Sequence, residues 1–122
     1  MDERPIGVFD SGLGGLTVVK ELLKELPNEN IVYFGDTARI PYGTRSREIV
    51  TKYSAQCVRF LLSKGIKMVV IACNTVSSNS LEALHAQFDI PILGVIRPGA
   101  RAAADATRNG RIGVIGDRKS VV

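Results

Sequence analysis

Ile6-Gly7-Val8-Phe9-Asp10-Ser11-Gly12-Leu13-Gly14-Gly15-Leu16 is the stretch whose reading decides the fold. A short apolar run ends in an acid, and a glycine-rich turn follows it. Beyond the turn, Leu16, Val19, Leu23 and Leu26 share one helical face that stops at Pro27. Strand, tight loop and helix in that order form the first half of a βαβ unit. The alternation continues along the chain, with β-rich apolar runs at 6–9, 31–34, 68–72, 92–95 and 112–115. Between them, Tyr53, Cys57, Phe60 and Leu61 form a second helical face that stops before Gly65, and Leu81, Leu84 and Phe88 mark a third helix. A fourth, alanine-rich helix opens at Pro98 and ends before Gly110. The expected fold is α/β: a doubly wound, five-stranded parallel sheet of order 2-1-3-4-5 with helices on both faces.

Composition agrees with a single domain over residues 1–122, since 45% of the residues are apolar and 23% charged. That apolar content excludes a disordered chain. No apolar run approaches the roughly 18 residues of a membrane span, and Met1-Asp2-Glu3-Arg4-Pro5 has no basic region leading into an apolar one. The expectation is therefore a cytoplasmic protein without a membrane partner. The net charge of +4 is local: residues 1–96 carry ten basic and ten acidic side chains, and residues 97–122 carry six basic and two acidic. No aromatic residue interleaves those late charges, so a nucleic-acid partner is not expected.

In a 2-1-3-4-5 sheet the crevice opens between strands one and three, so the loops leaving those strands should meet. They are Asp10-Ser11-Gly12-Leu13-Gly14-Gly15 and Cys73-Asn74-Thr75-Val76-Ser77. The first has G-x-G-G spacing, unlike the G-x-G-x-x-G of dinucleotide sites, and an acid precedes it where a pyrophosphate would be repelled. A small zwitterion suits it better, with Asp10 receiving an ammonium group and Ser11 and the backbone amides a carboxylate. Equally, Asp10 could simply cap a tight strand-to-helix turn.

Cys73 ends an apolar strand just before a helix, where the free amides and the dipole favour a thiolate. Asn74, Thr75, Ser77 and Ser78 surround it with side-chain donors, so a reactive thiol is the favoured reading. Cys57 lies on an apolar helical face and reads as a buried, inert thiol. Two cysteines so placed suit neither a disulfide scaffold nor a metal cluster. The third long strand exit, residues 35–44, contains Asp36, Arg39, Pro41, Tyr42 and Gly43. It reads either as a binding loop, with the Tyr42 hydroxyl and the Gly43 amide facing a ligand, or as a surface loop in which Asp36 and Arg39 pair. His85, the single histidine, reads as a solvated helix residue.

Four motifs in order carry a family resemblance: Pro5 to Leu16; Tyr33-Phe34-Gly35-Asp36-Thr37-Ala38-Arg39 running into Pro41-Tyr42-Gly43; Ala72-Cys73-Asn74-Thr75; and Gly110-Arg111-Ile112-Gly113-Val114-Ile115-Gly116. Together they resemble the N-terminal domain of bacterial glutamate racemase, within the aspartate/glutamate racemase group. The resemblance implies a cofactor-independent isomerase that makes D-glutamate for peptidoglycan with two facing cysteines. It assigns Cys73 as one of the two thiol bases and Asp10 as the carboxylate that orients or assists it. Ser11, Asn74 and Thr75 then bind the amino and α-carboxylate groups, and Tyr42 and Gly43 receive the side-chain carboxylate. No metal or cofactor is implied.

The family's second thiol lies in a G-C-T-H segment that this sequence lacks, so the chain reads as half of a racemase, inactive in two-base turnover by itself. An apolar surface left by the missing domain would favour self-association or an exchanged dimer. Two other readings stand beside this one: a non-catalytic module binding a small anion or amino acid, and an aspartate racemase.

Overall fold

The computed structural model describes residues 2–116. Its strands are β1 (Ile6–Asp10), β2 (Ile31–Gly35), β3 (Met68–Ile71) and β4 (Ile92–Gly94), and its helices are α1 (Leu16–Glu25), α2 (Arg47–Leu62), α3 (Asn74–Asn79), α4 (Leu81–Gln87) and α5 (Ile96–Ala106). A single 3₁₀ turn, Thr37–Arg39, follows β2. All pairings are parallel and the sheet order is β2-β1-β3-β4. Every residue of β1 is buried, as befits a central strand covered on both faces.

The period-two alternation of the strands sorts their side chains into two cores. Phe9, Val69, Ile71 and Ile92 pack with Val50, Val58 and Leu61 of α2, Val76 of α3 and Leu84 of α4. On the opposite face Ile6, Val8 and Val70 meet Val18, Val19 and Leu22 of α1, which are only half-buried. Local chemistry sets the helix ends. The Ser46 hydroxyl caps α2 by accepting from the Ile49 amide at 3.3 Å, and Gly65 leaves the helix at φ +72. Pro27 follows the last turn of α1.

Two elements differ from the sequence reading. The third helix is two: α3 and α4 meet at Ser80, whose backbone (φ −128, ψ −1) leaves the helical region. The fifth strand does not form among the described residues, so the sheet keeps the expected order without its last member. Residues 111–116 have no regular secondary structure, with Ile112 50%, Val114 70% and Ile115 102% exposed. The reason lies upstream: α5 buries no residue, so nothing docks the chain back along the outer edge of β4. A strand-like sequence that is not brought alongside a free edge forms no ladder with it.

Candidate active site

A cleft of about 500 Å³ opens at the C-terminal ends of β1 and β3, the place a sheet of this order reserves for ligands. Asp10, Ser11, Cys73, Asn74 and Thr75, five of the seven expected site residues, line it. The parallel pairing of β1 with β3 brings Phe9 opposite Ile71, and the Ala72 amide donates to the Phe9 carbonyl at 2.8 Å. One residue further along each strand, the two chains part and their loops form the walls.

Asp10 is buried, and both of its oxygens accept main-chain N–H groups: Ser11 at 2.8 Å and Gly15 at 2.7 Å. The carboxylate therefore ties the glycine loop into a ring while still facing the cleft. Gly15 has to be glycine, since a Cβ there would lie 2.7 Å from the Asp10 Cβ and 3.0 Å from that of Ala72. The capping reading of Asp10 thus describes its hydrogen bonds. A carboxylate accepts more than two donors, so the same group can also face an ammonium.

Cys73 is the residue at the N-terminal boundary of α3, in extended conformation (φ −94, ψ 121) and 5% exposed. Its thiol donates to the Ser11 hydroxyl at 3.3 Å, bridging the two loops. Asn74 is exposed and Thr75 buried, and the first-turn amides they begin have no partner within the helix. A free thiol, a carboxylate, two hydroxyls and unpaired amides thus face one small space. Such a set can hold a zwitterion and offers one base.

Tyr42 and Gly43 do not line this cleft. Tyr42 is 2% exposed; its ring packs against Phe9 and Tyr53, and its hydroxyl donates to the Asp36 carboxylate. The hydroxyl is thereby committed to the protein, and burial with that hydrogen bond pushes its pKa up. Arg39 closes the cluster, its Nε donating to Asp36 at 2.7 Å and its guanidinium lying 4.0 Å from the centre of the Tyr53 ring. The Asp36–Arg39 pairing expected of a surface loop is present, but buried on the Asp36 side. Among the described residues neither the Tyr42 nor the Gly43 amide donates to a protein acceptor. The loop touches the cleft's rim through Ile40, whose Cγ2 lies 3.6 Å from a Cβ built on Gly12.

Cys57 belongs to the same cluster, buried, with its sulfur 3.7 Å from Asp36. Burial first, and the Asp36 charge second, push its thiol up to about 11. His85 is exposed on α4. Thr17, Val18 and Val95 complete the cleft without having been expected there. The signal for them was positional: the first turn of the helix after the glycine loop, and the exit of the strand beside β3. Among the described residues no three His, Cys, Asp or Glu side chains come close enough to hold a metal, and no helix is long and apolar enough to cross a membrane.

The family described as Asp/Glu/Hydantoin racemase matches residues 6–121. The glutamate racemases of Geobacter metallireducens and Streptococcus pneumoniae are 56% and 57% identical over 121 residues, covering 99% of this chain and 45% and 46% of theirs. Among solved structures, glutamate racemase from Aquifex pyrophilus superposes with a TM-score of 0.92 at 47% identity, over 96% of this chain and 46% of that one. The Francisella tularensis enzyme in complex with D-glutamate gives 0.78 at 50% identity, over 84% and 39%. The chain thus spans less than half the length of the relatives it matches. By motif order, sheet topology and identity over nearly all its residues, the chain belongs to the Asp/Glu/Hydantoin racemase family.

Proposed function

We propose that this chain carries one half of a glutamate racemase active site, in which Cys73 as thiolate removes the α-proton of glutamate without a cofactor. The observation that carries the reading is the Cys73 thiol set against the Ser11 hydroxyl inside a cleft that Asp10 closes from the β1 side. Asp10 orients the loop and faces the substrate ammonium. The side chains and amides of Asn74 and Thr75 take the α-carboxylate, and the side-chain carboxylate extends out of the cleft past the rim at Ile40 toward the loop of Tyr42 and Gly43, where a main-chain amide rather than the committed Tyr42 hydroxyl receives it. A proton α to a carboxylate becomes removable when the adjoining charges are held by fixed donors and the base lies within hydrogen-bond reach. The relatives named glutamate racemase at 56% and 57% identity support glutamate over aspartate. In that role the product is D-glutamate for peptidoglycan, made in the cytoplasm.

Racemisation by two bases needs a thiol on each side of the α-carbon, and of this sequence's two cysteines only Cys73 lines the cleft. The chain by itself should therefore exchange the α-proton of glutamate without inverting it. Incubation with L-glutamate and, separately, with D-glutamate in D₂O, followed by circular dichroism and mass spectrometry, tests this: deuterium uptake by one enantiomer without loss of optical activity is expected. Sustained racemisation would refute the half-site. Exchange that survives Cys73→Ala would remove Cys73 from the role of base.

A further inference from the structure

The glycine loop is held from a third direction, by β2. Tyr33 reaches from that strand to donate its hydroxyl to the Gly12 carbonyl at 2.7 Å. Gly35 makes the approach possible, because a Cβ at that position would collide with the same carbonyl oxygen and lie 3.1 Å from the Tyr33 hydroxyl. The Asp36 amide donates to the Asp10 carbonyl at 2.9 Å, so β2 stays in register up to the point where the loop begins. Gly12 lines the cleft and directly follows Ser11, whose hydroxyl accepts from the Cys73 thiol.

We propose that Tyr33 is a positioning residue for the Ser11–Cys73 pair, acting through the Gly12 carbonyl and the side-chain-free Gly35. It touches neither the thiol nor a substrate; it fixes where Ser11 stands. Burial, and then the charge of Asp10, push the Tyr33 hydroxyl's pKa up, so it remains a donor throughout the neutral range. The half of the proposal that concerns glutamate rests on the racemase reading above, and the half that concerns loop geometry does not.

The test is alkylation of the 122-residue chain by a small maleimide, with and without L-glutamate, comparing parent and Tyr33→Phe. The substitution removes one oxygen and leaves the ring that packs beside β1. Cys57, 2% exposed and outside the cleft lining, reports opening of the core within the same experiment. In Tyr33→Phe, Cys73 should react faster and the glutamate concentration giving half-protection should rise about fivefold, the factor corresponding to one neutral hydrogen bond of ordinary net worth. Cys57 should label at the parental rate. Ser46→Ala, which weakens the cap of α2, is the control for stability and should leave Cys73 unchanged. Gly35→Ala should shift Cys73 in the same direction as Tyr33→Phe and by more.

Parental Cys73 labelling and protection in Tyr33→Phe overturn the proposal. So does a rise in Cys57 labelling in step with Cys73, which would make Tyr33 a general prop of the fold. Failure of glutamate to protect Cys73 in either chain, with Cys73 still faster in Tyr33→Phe, overturns the racemase reading and upholds the positioning role.

Discussion

Both oxygens of Asp10 accept main-chain N–H groups in a buried setting, so changing one of them to a donor sets N–H against N–H. Asp10→Asn should lower stability by about 1–3 kcal/mol, the usual cost of an unsatisfied buried donor, and urea denaturation would measure it. A midpoint equal to the parent's would show that the loop closes without this carboxylate. At Cys57 the expected dependence is on pH. The folded thiol holds its proton up to about 11 and the unfolded one releases it from about 9, so the unfolded chain binds fewer protons between those values. Stability should therefore fall as pH rises through that window, by roughly 2–3 kcal/mol from this group. Thermal melts of the parent and of Cys57→Ala from pH 8 to 11 would show a steeper decline in the parent. Parallel declines would contradict it. The two cysteines were separable in the sequence because one sits at a strand exit among polar residues and the other on an apolar helical face. The fate of Tyr42 was not: its loop read equally as a ligand contact or as a surface loop with Asp36 paired to Arg39, and the packing of its ring on Phe9 and Tyr53, far apart in sequence, decides.

The helices depend on particular residues to different degrees. Ser46 supplies the side-chain cap of the sixteen-residue α2, with Glu48 in the first turn, and Ser46→Ala should cost about 1 kcal/mol by equilibrium unfolding. Leu84 is the buried residue of α4, and Leu84→Ala should cost about 2–5 kcal/mol. If the alanine at 84 were the milder of the two, α4 would not be docked as the structure has it. The strands were legible because their short apolar runs match a sheet covered on both faces, and the crevice followed from their order. The break at Ser80 was hidden by the chain from 74 to 80, which is too polar to show a helical period. Its stabilising feature, the 2.7 Å hydrogen bond between the hydroxyls of Thr51 and Ser80, joins residues 29 apart. The stretch 112–115 shows the opposite failure: local β propensity was read correctly as a pattern, and whether it docks on the free edge of β4 is a tertiary fact.

Across the whole molecule the two faces of the sheet are unequal. One packs three helices over a continuous core, and the other has α1 with no buried residue, while α5 likewise buries none. Equivalent truncations should therefore have unequal costs. Leu61→Ala removes a fully buried side chain and should cost about 2–5 kcal/mol, whereas Val19→Ala on the half-buried face should cost about 1 kcal/mol or less. Local stability should follow the same division, because segments with few buried contacts open without unfolding the remainder. Native-state hydrogen exchange is then expected to protect β1, β3 and α2 most strongly, since those amides open only with the core. Protection should drop through α5 and be lowest at residues 111–116, which make no ladder hydrogen bonds among the described residues. The glycine loop should fall between these extremes, protected at Ser11 and Gly15, where Asp10 accepts the amide, and unprotected at Gly12 and Leu13. Exchange in α5 as slow as in α2 would contradict the exposed α5 that the structure shows.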